Sequence, residues 1–272
     1  MKRIVTLTIT AILCGILLSG CSFVAEGINK IKGNVMPITL SEDYKTIALT
    51  QPESTEFKTI VFDNISFAGE DDGIEIKILY SENPRVEATY SRELDDYGFA
   101  VKFSDGEIKI SVDKQRAFTA TKFVLKVYAN FNAVKVEGGI PLSVDAANIN
   151  ELSLDVSGAV DAKVFGLNAK SVAIDVKGAA EVDISGVSES FSLSIAGAGE
   201  LDGKELLCKD AVIEISGAGE ADISVTDTLG VEITGAGEVE YYGNPVVTNK
   251  SAGAAEVRQK SAEPYTLYGI AA

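Results

Sequence analysis

Acidic side chains recur at two fixed positions of a phrase that this chain repeats seven times between residues 138 and 256. The phrase is an alternating β-branched run, a glycine, a pair of small residues and, in most copies, an acid. The residues three after the first glycine are Asp161, Glu181, Glu200, Glu220, Glu238 and Glu256, and those five after it are Lys163, Asp183, Asp202, Asp222, Glu240 and Arg258. Carboxylates grouped in this way can hold a hard cation such as Ca²⁺, or supply the acid and base of glycoside cleavage.

Cation binding would involve carboxylates of neighbouring repeats. Like charges ~4.8 Å apart repel by about 0.9 kcal/mol per pair in water, so a column of them needs a reason. Either the carboxylates fan into solvent and keep the protein soluble, or they bind Ca²⁺ together with turn carbonyls, and both interpretations stay open. The candidate ligands are Glu181, Glu200, Glu220, Glu238, Asp183, Asp202 and Asp222. No other cofactor is expected.

Catalysis by the same carboxylates is the least favoured interpretation. An acid at the same position of nearly every repeat indicates a structural pattern, whereas an active site usually breaks the pattern at one place. The chain contains no histidine, which removes His-based triads, His general bases and most transition-metal sites. We therefore expect a protein that is not an enzyme, with a polysaccharide-active enzyme as the remote alternative.

The spacing of the repeats predicts the fold. The first glycines are 18–20 residues apart and lie at Gly138, Gly158, Gly178, Gly197, Gly217, Gly235 and Gly253. Apolar residues alternate on both sides of each glycine, which is the period of a strand with one buried face. A period this regular indicates a solenoid, because one repeat cannot bury its inward face but several stacked repeats can. We predict an all-β protein, a parallel β-helix-like solenoid preceded by a strand-rich amino-terminal part.

The repeated glycines have two explanations. Either the corner of each rung needs a positive φ angle, or a Cβ atom would not fit between successive rungs. The sequence alone leaves both open.

The amino-terminal segment predicts export. Lys2 and Arg3 precede an apolar stretch that ends in Leu18-Ser19-Gly20-Cys21, and this ending resembles the lipobox of bacterial lipoproteins. The resemblance implies cleavage before Cys21 and lipidation of its sulfur, with palmitate among the acyl chains, whereas the alternative is an ordinary signal peptide with an incidental cysteine. The expected location is the bacterial cell envelope, either the outer membrane or the outer face of the cytoplasmic membrane.

Charge and cysteine content narrow the partners. Residues 1–20 carry two basic and no acidic side chains, so their removal leaves 22 basic against 40 acidic residues, a formal charge of −18. This balance argues against nucleic acid as a partner. Beyond Cys14 and Cys21 only Cys208 remains, so no internal disulfide is expected. Cys208 follows two leucines and is predicted to be buried.

The domain organisation follows from these patterns. We predict a signal peptide at 1–20, the lipidated cysteine and a tether at 21–56, the solenoid domain at 57–258, and a carboxyl-terminal cap at 259–272. Within the domain, 57–130 would form irregular strands that begin the stack and 131–258 the seven repeats. The residues expected to cover the last rung are Tyr265, Leu267 and Tyr268.

The chain resembles the putative auto-transporter adhesin, head GIN domain family. The resemblance rests on Phe123–Tyr128 with Val134–Gly139, on the S-G-A-G-E-type repeats, and on Tyr242–Val247 followed by Ser251–Glu256. It covers roughly 57–258, and it implies a right-handed β-helix-like domain on the cell surface with an adhesive role and no catalytic residues.

Two non-catalytic functions thus remain open. The first is a surface adhesion module that binds a glycan or a surface protein, held at the membrane by its lipid. The second is a structural or envelope-stress component that contacts no ligand. The oligomeric state and the ligand are not determined by the sequence.

Overall fold

The computed structural model describes residues 37–51, 56–68 and 73–261, and its main body is a parallel β-solenoid of about six turns. The predicted all-β solenoid is therefore confirmed. Cys21, the signal peptide and the capping residues Tyr265, Leu267 and Tyr268 lie outside the described residues. The strands are β1 Ile38–Thr39, β2 Tyr44–Thr50, β3 Thr59–Phe67, β4 Ile74–Tyr80, β5 Arg85–Ser91, β6 Ala100–Ser104, β7 Glu107–Thr119, β8 Phe123–Ala129, β9 Ala133–Asp145, β10 Glu151–Val156, β11 Ala159–Val176, β12 Ala179–Ile195, β13 Ala198–Ile215, β14 Ala218–Ile233, β15 Ala236–Tyr242, β16 Val246–Asn249 and β17 Ala254–Gln259.

Each repeat forms one rung of the solenoid. Side chains of an extended chain alternate between two faces, so Val160 and Ala162 point into the core while Asp161 between them points outward. Strands β11, β12, β13 and β14 run through nearly a whole rung each, and a two-residue turn at the repeated glycine separates one from the next. The alternating apolar residues of the sequence are thus the inner wall of the solenoid.

Successive rungs pair in parallel and in register. Asp161 pairs with Glu181 across β11 and β12, and the same column continues through β13, β14, β15 and β17. Asp183, two residues further along β12, pairs with Asp202 in β13. The two predicted charge columns are therefore present. Parallel pairing gives every rung a hydrogen-bonded neighbour on each side and leaves edges only at the ends of the stack.

Close approach between rungs explains the repeated glycines. A Cβ atom on Gly178 would lie 1.9 Å from the carbonyl oxygen of Gly158, and one on Gly158 would lie 1.7 Å from the oxygen of Gly138. The same oxygens accept hydrogen bonds from the next rung, for example from the Ala179 N–H to Gly158 at 2.8 Å. Of the two explanations that the sequence left open, lack of space applies to these corners. Gly253, with φ +91°, combines both.

The amino-terminal part joins the same stack but in a different order from the sequence. Strand β3 lies between β7 and β9 and pairs in parallel with both, while β4 pairs in parallel with β8 and with β9. The rung made by β7 and β8 therefore lies outside the rung made by β3 and β4, although it comes later in the chain. We expected irregular strands at 57–130, and much of this segment instead forms regular rungs.

Antiparallel strands close the amino-terminal end of the stack. Strand β5 pairs antiparallel with β2 and with β8, and β6 pairs antiparallel with β7. Between β5 and β6 a 3₁₀ helix, Arg92–Tyr97, buries Leu94. Aromatic rings pack beneath this end, with Phe99 4.4 Å from Tyr90 and 5.9 Å from Phe123 between ring centroids. One hydrophobic core runs from this end into the repeats.

Candidate functional site

The corner that follows each glycine presents the two acidic columns on one face. Partial loss of hydration is the largest cause that raises the pKa of Glu220, and the charges of Glu200 and Glu238 above and below it add to the effect. Loss of hydration is likewise the first cause for the other raised carboxyls of this face, which are Asp161, Glu181, Glu200, Asp222 and Glu238. The charged form of these carboxyls is therefore under strain at neutral pH, mainly from lost hydration and to a smaller extent from like charges.

A lysine inside the stack relieves part of that strain. The ammonium group of Lys204 lies 2.7 Å from a carboxylate oxygen of Asp222 and 3.4 Å from one of Asp202. The hydrogen bond to Asp222 is the largest cause that raises the pKa of Lys204. Lys204 belongs to a short irregular segment of β13, where the register against β12 and β14 shifts. Lysine stands seven residues after the first glycine in only two of the seven copies, as Lys204 and Lys260, so the repeat pattern did not single it out.

Basic residues also meet the columns at the ends. At the carboxyl-terminal end Arg258 lies 3.0 Å from Glu238 and also contacts Glu256, and Lys260 lies 2.6 Å from Glu240. At the other end Lys163 lies 3.5 Å from Asp183. The chain's own cations therefore neutralise part of the carboxylate charge.

The predicted cation ligands line up across successive rungs, but they do not form a closed site. Glu181, Glu200, Glu220 and Glu238 form one column, and Asp183, Asp202 and Asp222 form the next. Within the described part of the chain, no three acidic or cysteine side chains come close enough to hold one metal ion. Binding of Ca²⁺ stays a prediction. It is tested by titrating Ca²⁺ while following the melting temperature, and the absence of any shift would contradict it.

A second, irregular corner absorbs the differences in rung length. On the glycine side the rungs stay in register from β11 to β15, so the 18–20-residue variation has to be placed elsewhere. The register shifts lie between Val164 and Leu167, Asp183 and Gly186, Gly203 and Leu207, and Cys208 and Asp210. At this corner one strand carries more residues than its neighbour, as at a β-bulge.

An open groove of about 560 Å³ runs across this irregular corner. The side chains of Lys170, Glu189 and Lys209 line it from three successive rungs, and Lys209 lies 3.5 Å from Glu189. Val187 and Leu207 also line it, and Leu207 is 39% exposed although it is apolar. We name this surface the bulge groove. The sequence gives no direct sign of this surface, because unequal rung lengths conceal the column that these residues form.

Cys208 is buried beneath the bulge groove, as predicted. Its Sγ donates a hydrogen bond to the carbonyl oxygen of Ser224 at 3.2 Å. Burial is the largest cause that raises the pKa of the thiol to about 12, and the nearby charge of Asp210 adds to it. The thiol is therefore a packing group rather than a nucleophile.

Comparison with protein families assigns the chain to one family. The family described as "Putative auto-transporter adhesin, head GIN domain" matches residues 62–245. The chain belongs to this family. The matched segment includes the out-of-order rungs of the amino-terminal part as well as most of the repeats. Membership in a family of adhesins indicates a surface or exported protein.

Solved structures share the fold at low sequence identity. A putative adhesin from Bacteroides fragilis aligns with a TM-score of 0.68 at 17% identity, covering 82% of this chain and 100% of the other. A putative lipid binding protein from Parabacteroides distasonis aligns at 0.63 and 17% identity, and a putative adhesin from Parabacteroides merdae at 0.57 and 21% identity. Each of these two covers 83% of this chain and 100% of its own. At such identity the similarity concerns the fold alone.

A search of curated proteins returned no match. In the ranges that the structure describes, no helix has both the length and the apolar character needed to cross a bilayer.

Proposed function

We propose that this protein is a lipid-anchored adhesion module of the bacterial cell surface and that it works without catalysis. Membership in the head GIN domain family is the observation that carries the proposal. A solenoid presents long, rigid faces built from outward side chains of many rungs, which suits the binding of an extended partner. The lipobox-like Leu18-Ser19-Gly20-Cys21 supplies the anchor.

The non-catalytic part of the proposal draws on the regularity of the acidic face. Acids at equivalent positions pair from rung to rung, as Glu200 does with Glu220. Glycoside cleavage needs one acid set apart from its partner by environment and distance. Hydrolysis of any member of a polysaccharide panel by the purified protein would contradict this part.

The anchor is tested by labelling cells with a radioactive or clickable palmitate analogue. The parent protein is expected to take up the label and to sediment with membranes, and Cys21→Ser is expected to lose both properties. Cys208→Ser serves as the matched control. Because Cys208 is buried in the fold, its substitution is expected to leave labelling unchanged. Equal labelling of parent and Cys21→Ser proteins would contradict lipidation at Cys21.

Surface display and adhesion are tested on intact cells. Protease added outside is expected to degrade the protein without lysis of the cells. Cells that carry the protein are expected to bind surfaces coated with glycans or matrix proteins better than cells that lack it. Protection from protease together with unchanged attachment would contradict the proposal and would favour a structural role in the envelope.

A further inference from the structure

We infer that the bulge groove binds an acidic glycan, a sugar chain that carries carboxylate groups, through the ammonium groups of Lys170 and Lys209. The inference rests on the proposed adhesive function and names the chemistry of its partner. It depends on four observations: the place of the groove in the fold, its charge, the spacing of its two lysines, and its mixture of apolar and polar side chains.

The place of the groove matters because, from β11 to β15, the register shifts lie at this corner. The glycine corner repeats the same close backbone approach from Gly138 to Gly235, which leaves little freedom for its residues. At the bulged corner the register shifts from rung to rung, so side chains there are not constrained to one repeated type. Bulges commonly re-aim side chains at functional surfaces.

The groove brings two lysines together on a strongly acidic protein. Its lining carries their ammonium groups and the carboxylate of Glu189, and the carboxylate of Asp227 adjoins it through the Thr226 hydroxyl at 2.7 Å, within a chain of formal charge −16. Lys170 makes no ion pair with any residue in the described ranges, and its main chain is fixed by hydrogen bonds to Asn150 and from Ser190. Charge complementarity over this short range favours an anionic partner, because salt screens the more distant acidic face.

The spacing of the two lysines suits an extended chain. Lys170 and Lys209 lie two rungs apart, which is about 10 Å along the stack at ~4.8 Å per rung. A single small anion could not contact both, whereas a polymer with repeated carboxylates can.

The remaining lining residues fit a sugar chain. Val187 and Leu207 offer an apolar strip for the faces of sugar rings, and the Asn168 amide can donate and accept hydrogen bonds with sugar hydroxyls. The Thr226 hydroxyl donates to Asp227 and can still accept a hydrogen bond from a sugar.

The test measures calorimetric binding of oligogalacturonates to the full-length protein in detergent at physiological salt. The neutral comparison is the same oligomers with their carboxylates reduced to alcohols. The acidic oligomers are expected to bind the parent, and the neutral ones to bind about tenfold more weakly or not at all. Lys170→Gln with Lys209→Gln is expected to weaken acidic binding by about tenfold. The matched control, Lys163→Gln with Lys177→Gln, removes two exposed lysines outside the groove and is expected to leave binding unchanged.

A second variant is expected to strengthen binding, so its effect cannot be produced by a loss of folding. Glu189→Gln frees Lys209 from its ion pair and removes the only carboxylate of the lining, so it is expected to tighten acidic binding severalfold. Equal affinity for acidic and neutral oligomers, no binding of either, or unchanged binding by the groove variants would each overturn the inference. Attachment of cells that carry the double groove variant separates the two proposals. Attachment that persists would overturn the groove and leave adhesion standing, whereas absence of attachment in the parent itself would overturn adhesion.

Discussion

The carbonyl oxygen of Gly178 occupies the space that a side chain on residue 197 would need, since a Cβ atom on Gly197 would lie only 1.9 Å from it. That oxygen also accepts a hydrogen bond from the Ala198 N–H at 2.9 Å. The glycine is therefore required by a hydrogen bond between rungs, and the contact recurs at successive corners.

Gly197→Ala is expected to destabilise the protein strongly. The added methyl group would force two backbones apart, so we expect a loss of about 3 kcal/mol in the free energy of unfolding and a melting temperature lower by roughly 6–12 °C. Gly230→Ala is the matched control, because its Cβ would meet nothing closer than 3.9 Å. Thermal unfolding of both variants makes the comparison. An alanine at 197 that is as stable as the one at 230 would show that the rungs do not approach as described.

The acidic face predicts a pH-dependent gain from removing one charge. The pKa of Glu220 is raised in the folded protein, so this carboxyl stabilises the fold most when protonated, and that stability is lost as the pH rises through the raised pKa. Glu220→Gln is accordingly expected to melt above the parent at pH 7, with a difference that shrinks as the pH is lowered to 5.

The control for this prediction is a carboxyl with the opposite shift. The hydrogen bond from Lys77 lowers the pKa of Glu75, and the two groups lie 2.8 Å apart. Glu75→Gln should therefore leave stability unchanged or lower it slightly at pH 7. A Glu220→Gln variant that melts below the parent at neutral pH would contradict the strain assigned to this face.

Lys204 is expected to stabilise the stack by bridging two rungs. Lys204→Gln removes the contacts to Asp202 and Asp222 and should cost about 1 kcal/mol at low salt, with a smaller loss in 1 M NaCl. Lys163→Gln, which removes a longer and more exposed contact at 3.5 Å, is expected to cost less. Chemical denaturation at the two salt concentrations measures both. Equal losses for the two variants, or a loss independent of salt, would contradict the bridging role.

Cys208 is expected to resist alkylation in the folded protein. Burial raises the pKa of its thiol to about 12, so at pH 8 almost no thiolate is present and access is blocked as well. Iodoacetamide followed by mass spectrometry should find Cys208 unmodified in buffer and modified in guanidinium. Rapid modification in buffer would show that the irregular corner opens.

The sequence predicted what is repeated and missed what is not. Regular spacing identified the glycine corners and placed Glu181 and Glu200 in one column, because parallel in-register stacking follows from an almost constant period. Lys204 was missed because it lies at the irregular corner, where the register shifts from one rung to the next. The column of Lys170 and Lys209 was missed because two rungs of unequal length separate them, although their 39-residue spacing equals one rung of 20 and one of 19.

The order of the amino-terminal rungs could not be predicted from the sequence either. Strands β3 and β7 have similar alternating patterns, and these patterns do not indicate which of the two strands lies next to β9. Their order depends on long-range pairing, with β3 pairing with both neighbours. Alternation alone indicates which residues face the core but not which rung follows which.

The parallel, in-register stack is tested most directly by the distance between equivalent positions of successive rungs. Nitroxide labels at Asp183 and Asp202, in a protein whose other cysteines are replaced by serine, should lie one rung apart, about 5 Å between backbones, and labels at Asp183 and Asp222 two rungs apart, about 10 Å. We expect strong dipolar broadening of the electron paramagnetic resonance spectrum for the first pair and clearly weaker broadening for the second. No broadening in either pair, or stronger broadening in the second, would contradict the stack.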